Sequence, residues 1–214
     1  MMDSYKTDYT SFDIYHDVLV PASLILHVEN YIKASFPYIR VNWLHRNREE
    51  VLHQVSNTSN SMAIMQNRMS NMAEKNLGFM NLGTDKLAIY CHPKHALTNI
   101  SDLTSADLQS EKQYVSENHI HTLPDVFSVS VDQHVISNND VLLSLLVHDG
   151  WAFLSKNLAA PLVQSGHLVE LHPTELSVAI NIGISFYFPL SMQNSEELEG
   201  LKETLKFYSN EHMT

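Results

Sequence analysis

Apolar positions along this chain keep two rhythms, a period of two and a period near 3.6, and the two alternate from one end to the other. Ser11 to His16 reads as a first strand. Pro21 opens a helix, since proline suits a first helical turn where its missing N–H is not needed. Leu24, Ile25, Val28 and Ile32 lay one apolar stripe along it. Phe36 precedes Pro37, and a residue before proline avoids the α region, so the helix ends there. Ile39, Val41 and Trp43 alternate with Arg40 and Asn42, the signature of a strand. Asn47 with Glu50 three residues on predicts a capped second helix carrying Val51, Leu52 and Val55. The Asn/Ser-rich run at 56–60 closes it, and residues 61–65 form a third strand. This β-α-β-α-β order predicts a small doubly wound lobe.

The same grammar then repeats. Residues 87–91 read as a strand leading out of the first lobe, 102–108 as a short helix, and 113–116 and 126–131 as strands. Asn138 caps a helix bearing Val141, Leu142, Leu145 and Leu146, and Gly150 suits the left-handed position that follows a helix. Strand 151–154, helix 156–164 and strand 168–171 come next, and 178–188 is a long β-like run returning to the first lobe. A last helix carries Leu198, Leu201, Leu205 and Tyr208 on one face, with Asn194 and Glu197 as its capping pair. The expected architecture is α/β, two Rossmann-like lobes joined by two crossover strands. Residues 1–10 are a linker or remnant, 11–85 with 187–214 the first lobe, and 86–186 the second.

Composition narrows the function. In 214 residues, 13 Lys and Arg stand against 24 Asp and Glu, a formal net charge of −11. A direct nucleic-acid binder needs a basic stripe to displace counterions from phosphate, and Arg40, Arg46 and Arg48 are too few to make one. No run approaches the roughly 20 apolar residues that span a bilayer. The first residues are polar, without the apolar core of a secretory signal, and one cysteine, Cys91, rules out an intrachain disulfide. These features suit the cytoplasm. No G-x-S-x-G elbow and no G-x-x-x-x-G-K-[ST] loop is present, so no enzyme is expected, no catalytic residue is assigned and no cofactor is implied.

Four stretches carry a family resemblance. GWAFLSKNLAAPLVQSGHLVEL (150–171) resembles a glycine, small and aliphatic residues and a proline leading into a helix and a G-x-L-V strand. AIYCHPKHAL (88–97) with SDL (101–103) resembles a strand, an H-P-L loop and a short helix. FPYIRVNWLHRNREEVLHQV (36–55) and SMAIMQN (61–67) fall in the right order before them. Together they resemble the regulatory, effector-binding domain of LysR-type transcriptional regulators. The resemblance implies a fold like that of type II periplasmic binding proteins, a small and possibly anionic molecule held between two lobes, and a homodimer in which the helices at 21–34 and 138–148 meet. It also implies that DNA is reached only through an N-terminal winged helix-turn-helix, of which this sequence shows no trace. Ser155, His148 and Ser61 depart from the family's usual residues there. The alternative is a free-standing solute-binding protein of the same fold.

In open α/β sheets ligands sit beyond the carboxyl ends of strands, where loops and helix N-termini converge. That rule selects His16 and Asp17 after the first strand, Arg46 and Asn47 after the second, and Gln66 and Asn67 after the third. Asn138, Asn139 and Ser155 are the corresponding positions of the second lobe. Arg46 or Arg48 could clamp a carboxylate with a planar guanidinium; the plainer reading is a solvated pair beside Glu49 and Glu50. Asn47 is accounted for as an N-cap. Cys91, on an apolar strand, reads as a small core residue before it reads as a sensor. Among 13 histidines, His119 with His121, and His92 and His95 beside Cys91, lie close in sequence. They lack the spacing of a four-ligand metal set, and no metal is expected.

Overall fold

The computed structural model describes residues 9–17, 20–67, 76–175 and 180–213, without the side chains of residues 121 and 122. Its elements in chain order are β1 (Ser11–His16), α1 (Ala22–Ser35), β2 (Arg40–Leu44), α2 (Arg48–Asn57), β3 (Ser61–Gln66) and β4 (Leu77–Cys91). Then follow α3 (Ser105–Gln109), β5 (Gln113–Ser116), α4 (Glu117–Thr122), α5 (Pro124–Phe127), β6 (Gln133–Ile136), α6 (Asn139–Leu146) and β7 (Trp151–Ser155). The chain ends with α7 (Lys156–Gln164), β8 (Val169–Leu171), β9 (Ile180–Pro189) and α8 (Glu196–His212). Two compact units emerge, residues 1–84 with 183–214 and residues 85–182, so the chain passes between them twice, along β4 and along β9. The strand expected at 178–188 begins outside the described residues.

The first unit has the strand order β2-β1-β3-β9-β4. β1 pairs parallel with both β2 and β3, and β9 runs antiparallel to β3. All six residues of β3 are buried, as a strand covered on both faces demands. One face of the pleat sends Tyr15, Ala63, Met65 and Tyr187 under α2, where Val51, Leu52 and Val55 meet them. Asn47 caps α2, its side-chain oxygen accepting the Glu50 N–H at 2.9 Å. α1 buries Leu24, Val28 and Ile32 and packs against α8, where the Ser23 and Tyr208 hydroxyls lie 2.6 Å apart.

α8 is capped one residue later than its sequence suggests. Ser195, not Asn194, accepts the Leu198 N–H at 3.2 Å. With Ser195 as cap, Glu197 becomes the second helical residue and is out of register for a capping box.

In the second unit β5 pairs parallel with β6 and β7, while the far half of β4 runs antiparallel to β7 and to β8. β7 is buried throughout and separates two apolar layers. Ala152 and Leu154 join Tyr90, Tyr114, Leu142, Leu146, Ala159 and Leu168 beneath α6 and α7. Trp151 and Phe153 face the opposite way into an aromatic series with Phe127, the rings 5.6 and 5.3 Å apart and edge to face. Asn138 caps α6 through the Asp140 and Val141 N–H groups. Gly150 takes the left-handed conformation, φ 69°, and a Cβ there would stand 2.9 Å from the Lys112 carbonyl.

Residues 126–131 are not the expected strand. Pro124 starts the one-turn helix α5, and the buried Gln113 amide takes over the backbone beyond it. Gln113 Nε2 donates to the Phe127 carbonyl at 2.7 Å, and its Oε1 accepts from the Val129 and Ser130 N–H groups at 3.1 and 2.9 Å. Those groups are thereby lost to a ladder, and pairing resumes only at Gln133. α3 also starts later than expected, because Thr104 and Asp107 form a complete capping box.

Candidate functional site

Parallel strands β2, β1 and β3 deliver their carboxyl ends to one edge of the first unit, and six sequence-selected residues stand on that edge. His16 ends β1; its carbonyl accepts from His45 Nδ1 at 3.0 Å, and its ring lies 6.2 Å from that of Trp43. Asp17, next in the chain, is buried, and its carboxylate accepts the Gln66 N–H at 2.6 Å, tying the end of β1 to the end of β3. Arg46 is exposed, donates to the His45 carbonyl at 2.6 Å and lies 3.7 Å from the Glu50 carboxylate. Asn47 is occupied as the α2 cap. Gln66 is only 5% exposed, and the Asn67 N–H donates to the Gly183 carbonyl at 2.7 Å.

The second arginine is the one built into this edge. Arg48, the first residue of α2, donates from one terminal nitrogen to the Gln66 carbonyl at 2.5 Å and from the other to the Tyr187 hydroxyl at 3.2 Å. Its guanidinium also lies 5.5 Å from the centre of the Tyr187 ring, within cation–π range. No local pattern marks Tyr187 or Gly183 as part of this edge. Arg48 had a signal, its place directly after a helix cap; Gly183 had none.

Three side-chain atoms at this edge are shut off from water and have no hydrogen-bond partner among the described residues: Arg48 Nε, Gln66 Oε1 and Asn67 Oδ1. Leaving such a group unpaired costs about 1–3 kcal/mol. Gly183 makes room for one of them, since a Cβ there would fall 2.5 Å from Asn67 Nδ2.

The second unit gathers the carboxyl ends of β5, β6 and β7. Ser155, at the end of β7, is buried and caps α7 by accepting the Leu158 N–H at 3.4 Å. Asn138 is exposed and engaged as a cap, and Asn139 is the first residue of α6. His119, in α4, is 3% exposed and stacks on Phe127 at 4.4 Å. Burial without a partner for Nε2 lowers its pKa from 6.5 to about 4, so the ring is neutral. Burial also pushes the Cys91 thiol up to about 12, far from the thiolate that reactivity needs. His95 is occupied locally, its Nδ1 accepting the Leu97 N–H at 3.2 Å. The His121 side chain lies outside the described residues. Among the described residues no three His, Cys, Asp or Glu groups converge as metal ligands, and no helix is long and apolar enough to cross a membrane.

No protein-family model and no curated protein sequence matches the chain. Solved structures do. The regulatory domain of MetR, a LysR family regulator from N. meningitidis, matches over 95% of each chain with a TM-score of 0.73 and 11% identity. The effector-binding domain of QuiR, solved in complex with shikimate, matches over 96% of this chain and all of its own with a TM-score of 0.71 and 13% identity. Full-length LysG from Corynebacterium glutamicum, with bound effector Arg, matches over 95% of this chain and 69% of its own with a TM-score of 0.72 and 14% identity. The chain thus has the fold of the regulatory domains of LysR-type regulators, a type II periplasmic-binding-protein-like α/β architecture of two units.

Proposed function

We propose that this chain is the effector-sensing domain of a bacterial, cytoplasmic LysR-type transcriptional regulator, working as a homodimer and reaching DNA through a separate N-terminal helix-turn-helix. The fold supports a binding rather than a catalytic role, since its solved counterparts are regulatory domains of transcription factors. The single observation that carries the reading is the strand-end edge of the first unit. There Arg48, Gln66 and Asn67 hold three unpaired polar atoms where α/β folds take their ligands. His16 and Asp17 stand at the end of β1, Arg46 and Asn47 follow β2, and Asn138, Asn139 and Ser155 occupy the equivalent strand ends of the second unit. A net charge of −11 suits a module that leaves DNA contact to another domain.

A bound effector biases the regulator among its conformations by its differential affinity for them. Thermal unfolding against a panel of organic acids, amino acids and sugars tests the role. A ligand at a hundred times its Kd stabilises the native state by about 2.7 kcal/mol, a clear rise in Tm. A panel without any such rise overturns the reading.

A further inference from the structure

We infer that His16 and His45 together bind a late first-row divalent cation of the copper, nickel and zinc class, held by the two Nε2 atoms with water in the remaining positions. Such a site stands apart from the effector role proposed above and does not depend on it.

The pairing of β1 with β2 brings the two imidazoles together. The strands run parallel in a register that sets Ile14 beside Trp43 and Tyr15 beside Leu44. One step further along the same register His16 and His45 are the next pair, on the face that alternation gives to Ile14 and Trp43. Their rings lie 6.0 Å apart, and the His16 ring is 6.2 Å from that of Trp43. With metal–nitrogen bonds of about 2.0–2.1 Å and a ring radius of about 1.1 Å, two imidazoles on one ion have centres roughly 5–6 Å apart. The observed spacing is at the wide end of that range, and His45 is exposed, which leaves its ring room to close.

What prepares the pair is its tautomer. A backbone carbonyl only accepts, so an Nδ1 that meets one carries the proton and leaves Nε2 its lone pair. His45 Nδ1 donates to the His16 carbonyl at 3.0 Å, and His16 Nδ1 donates to the Asp17 carbonyl at 3.3 Å. An Nδ1–H held by a carbonyl is the outer-shell arrangement that fixes a metal-binding histidine and raises its basicity. His92 and His95 show the opposite. Nδ1 of each accepts a backbone N–H, from Lys94 at 3.1 Å and from Leu97 at 3.2 Å, so the proton sits on Nε2 and neither nitrogen is ready for an ion. Because 29 residues separate His16 from His45, the pair has no spacing motif in the sequence. Two imidazoles fall short of the four ligands of a structural zinc site, so the bound ion keeps open positions and exchanges.

The test is a titration of the metal-free whole chain with copper(II), nickel(II) and zinc(II) chlorides, followed by calorimetry and tryptophan emission. Copper(II) is expected to bind tightest, as such nitrogen sites generally prefer it, and to quench Trp43, which lies beside the His16 ring. Trp43→Phe removes that quenching and leaves the emission of Trp151. His16→Gln and His45→Gln each raise the Kd for copper(II) at least about tenfold. His172→Gln, at an exposed histidine of the second unit, leaves it unchanged. Far-UV circular dichroism and the metal-free Tm confirm that each variant is folded, and the exposed His45 keeps the comparison decisive where His16→Gln is not. An unchanged Kd in His45→Gln, or full quenching of Trp43 in that variant, places the ion on other histidines and overturns the site. No binding of any of the three ions overturns it as well.

Discussion

His119 should make the second unit sensitive to acid, by an amount that follows from its surroundings. The imidazole is buried, stacked on Phe127, and leaves Nε2 without a partner among the described residues, so protonation would place a charge away from water. Its pKa falls from an ordinary 6.5 to about 4 in the folded chain. The unfolded chain therefore binds the proton first as pH drops. Stability from this residue is fully present above pH 6.5 and is lost as pH falls toward 4. The whole shift corresponds to about 3 kcal/mol, of which about 2 kcal/mol is gone by roughly pH 5. His119→Phe keeps a ring against Phe127 and removes the titration. Urea unfolding followed by Trp151 fluorescence, in a Trp43→Phe background so that Trp151 is the sole tryptophan, measures the difference. The gap between His119→Phe and its parent should widen in favour of the variant by about 2 kcal/mol between neutral pH and roughly pH 5. The other histidines are common to both proteins and cancel. An unchanged gap would show that the imidazole gains a proton in the folded state without penalty, and would refute the reasoning.

Gln113→Leu should cost several kcal/mol, well above the roughly 1 kcal/mol of an ordinary substitution, because it strands the Phe127 carbonyl and the Val129 and Ser130 N–H groups at once; denaturant titration measures it, and a loss under about 1 kcal/mol would contradict that role. Ser195→Ala should lower stability by about 1 kcal/mol through loss of the α8 cap, whereas Asn194→Ala should change little; equal effects would return the cap to Asn194. Cys91 should resist alkylation at neutral pH in the folded chain and react promptly in denaturant, since its thiol is buried and its pKa is raised to about 12; rapid labelling of the native protein would speak against that burial.

Local rules read correctly wherever the deciding atoms are close in sequence. Asn47 and Asn138 cap the helices that their neighbours announce, Gly150 takes its positive φ, and the helix Lys156–Gln164 begins and ends where its pattern does. The failures are tertiary. Residues 126–131 look like a strand, but their backbone is claimed by a side chain from β5. The first half of β4, with Gly78, Asn81 and Gly83 interrupting its alternation, has no local strand signature and is a strand because β9 lies beside it. The candidate site divides in the same way. The strand-end rule found Gln66 and Asn67, but nothing near Arg48 in sequence says that Tyr187 and the end of β3 meet its guanidinium. Nor does the sequence around Gly183 say that Asn67 lies against it.

The double passage between the units sets an order of assembly on the ribosome. Residues 85–182 form one uninterrupted unit, whereas the first unit is interrupted and resumes only at Gly183. Its β9, between β3 and β4 in the strand order, and α8, which packs on α1, are translated after the whole of the second unit. The unit begun second is therefore complete first, and the one begun first must wait, with the α1 stripe of Leu24, Val28 and Ile32 lacking its α8 partner until α8 has been made. Gly183 and Tyr187 arrive in that same later stretch, so the strand-end edge they complete takes shape only after the second unit has been made.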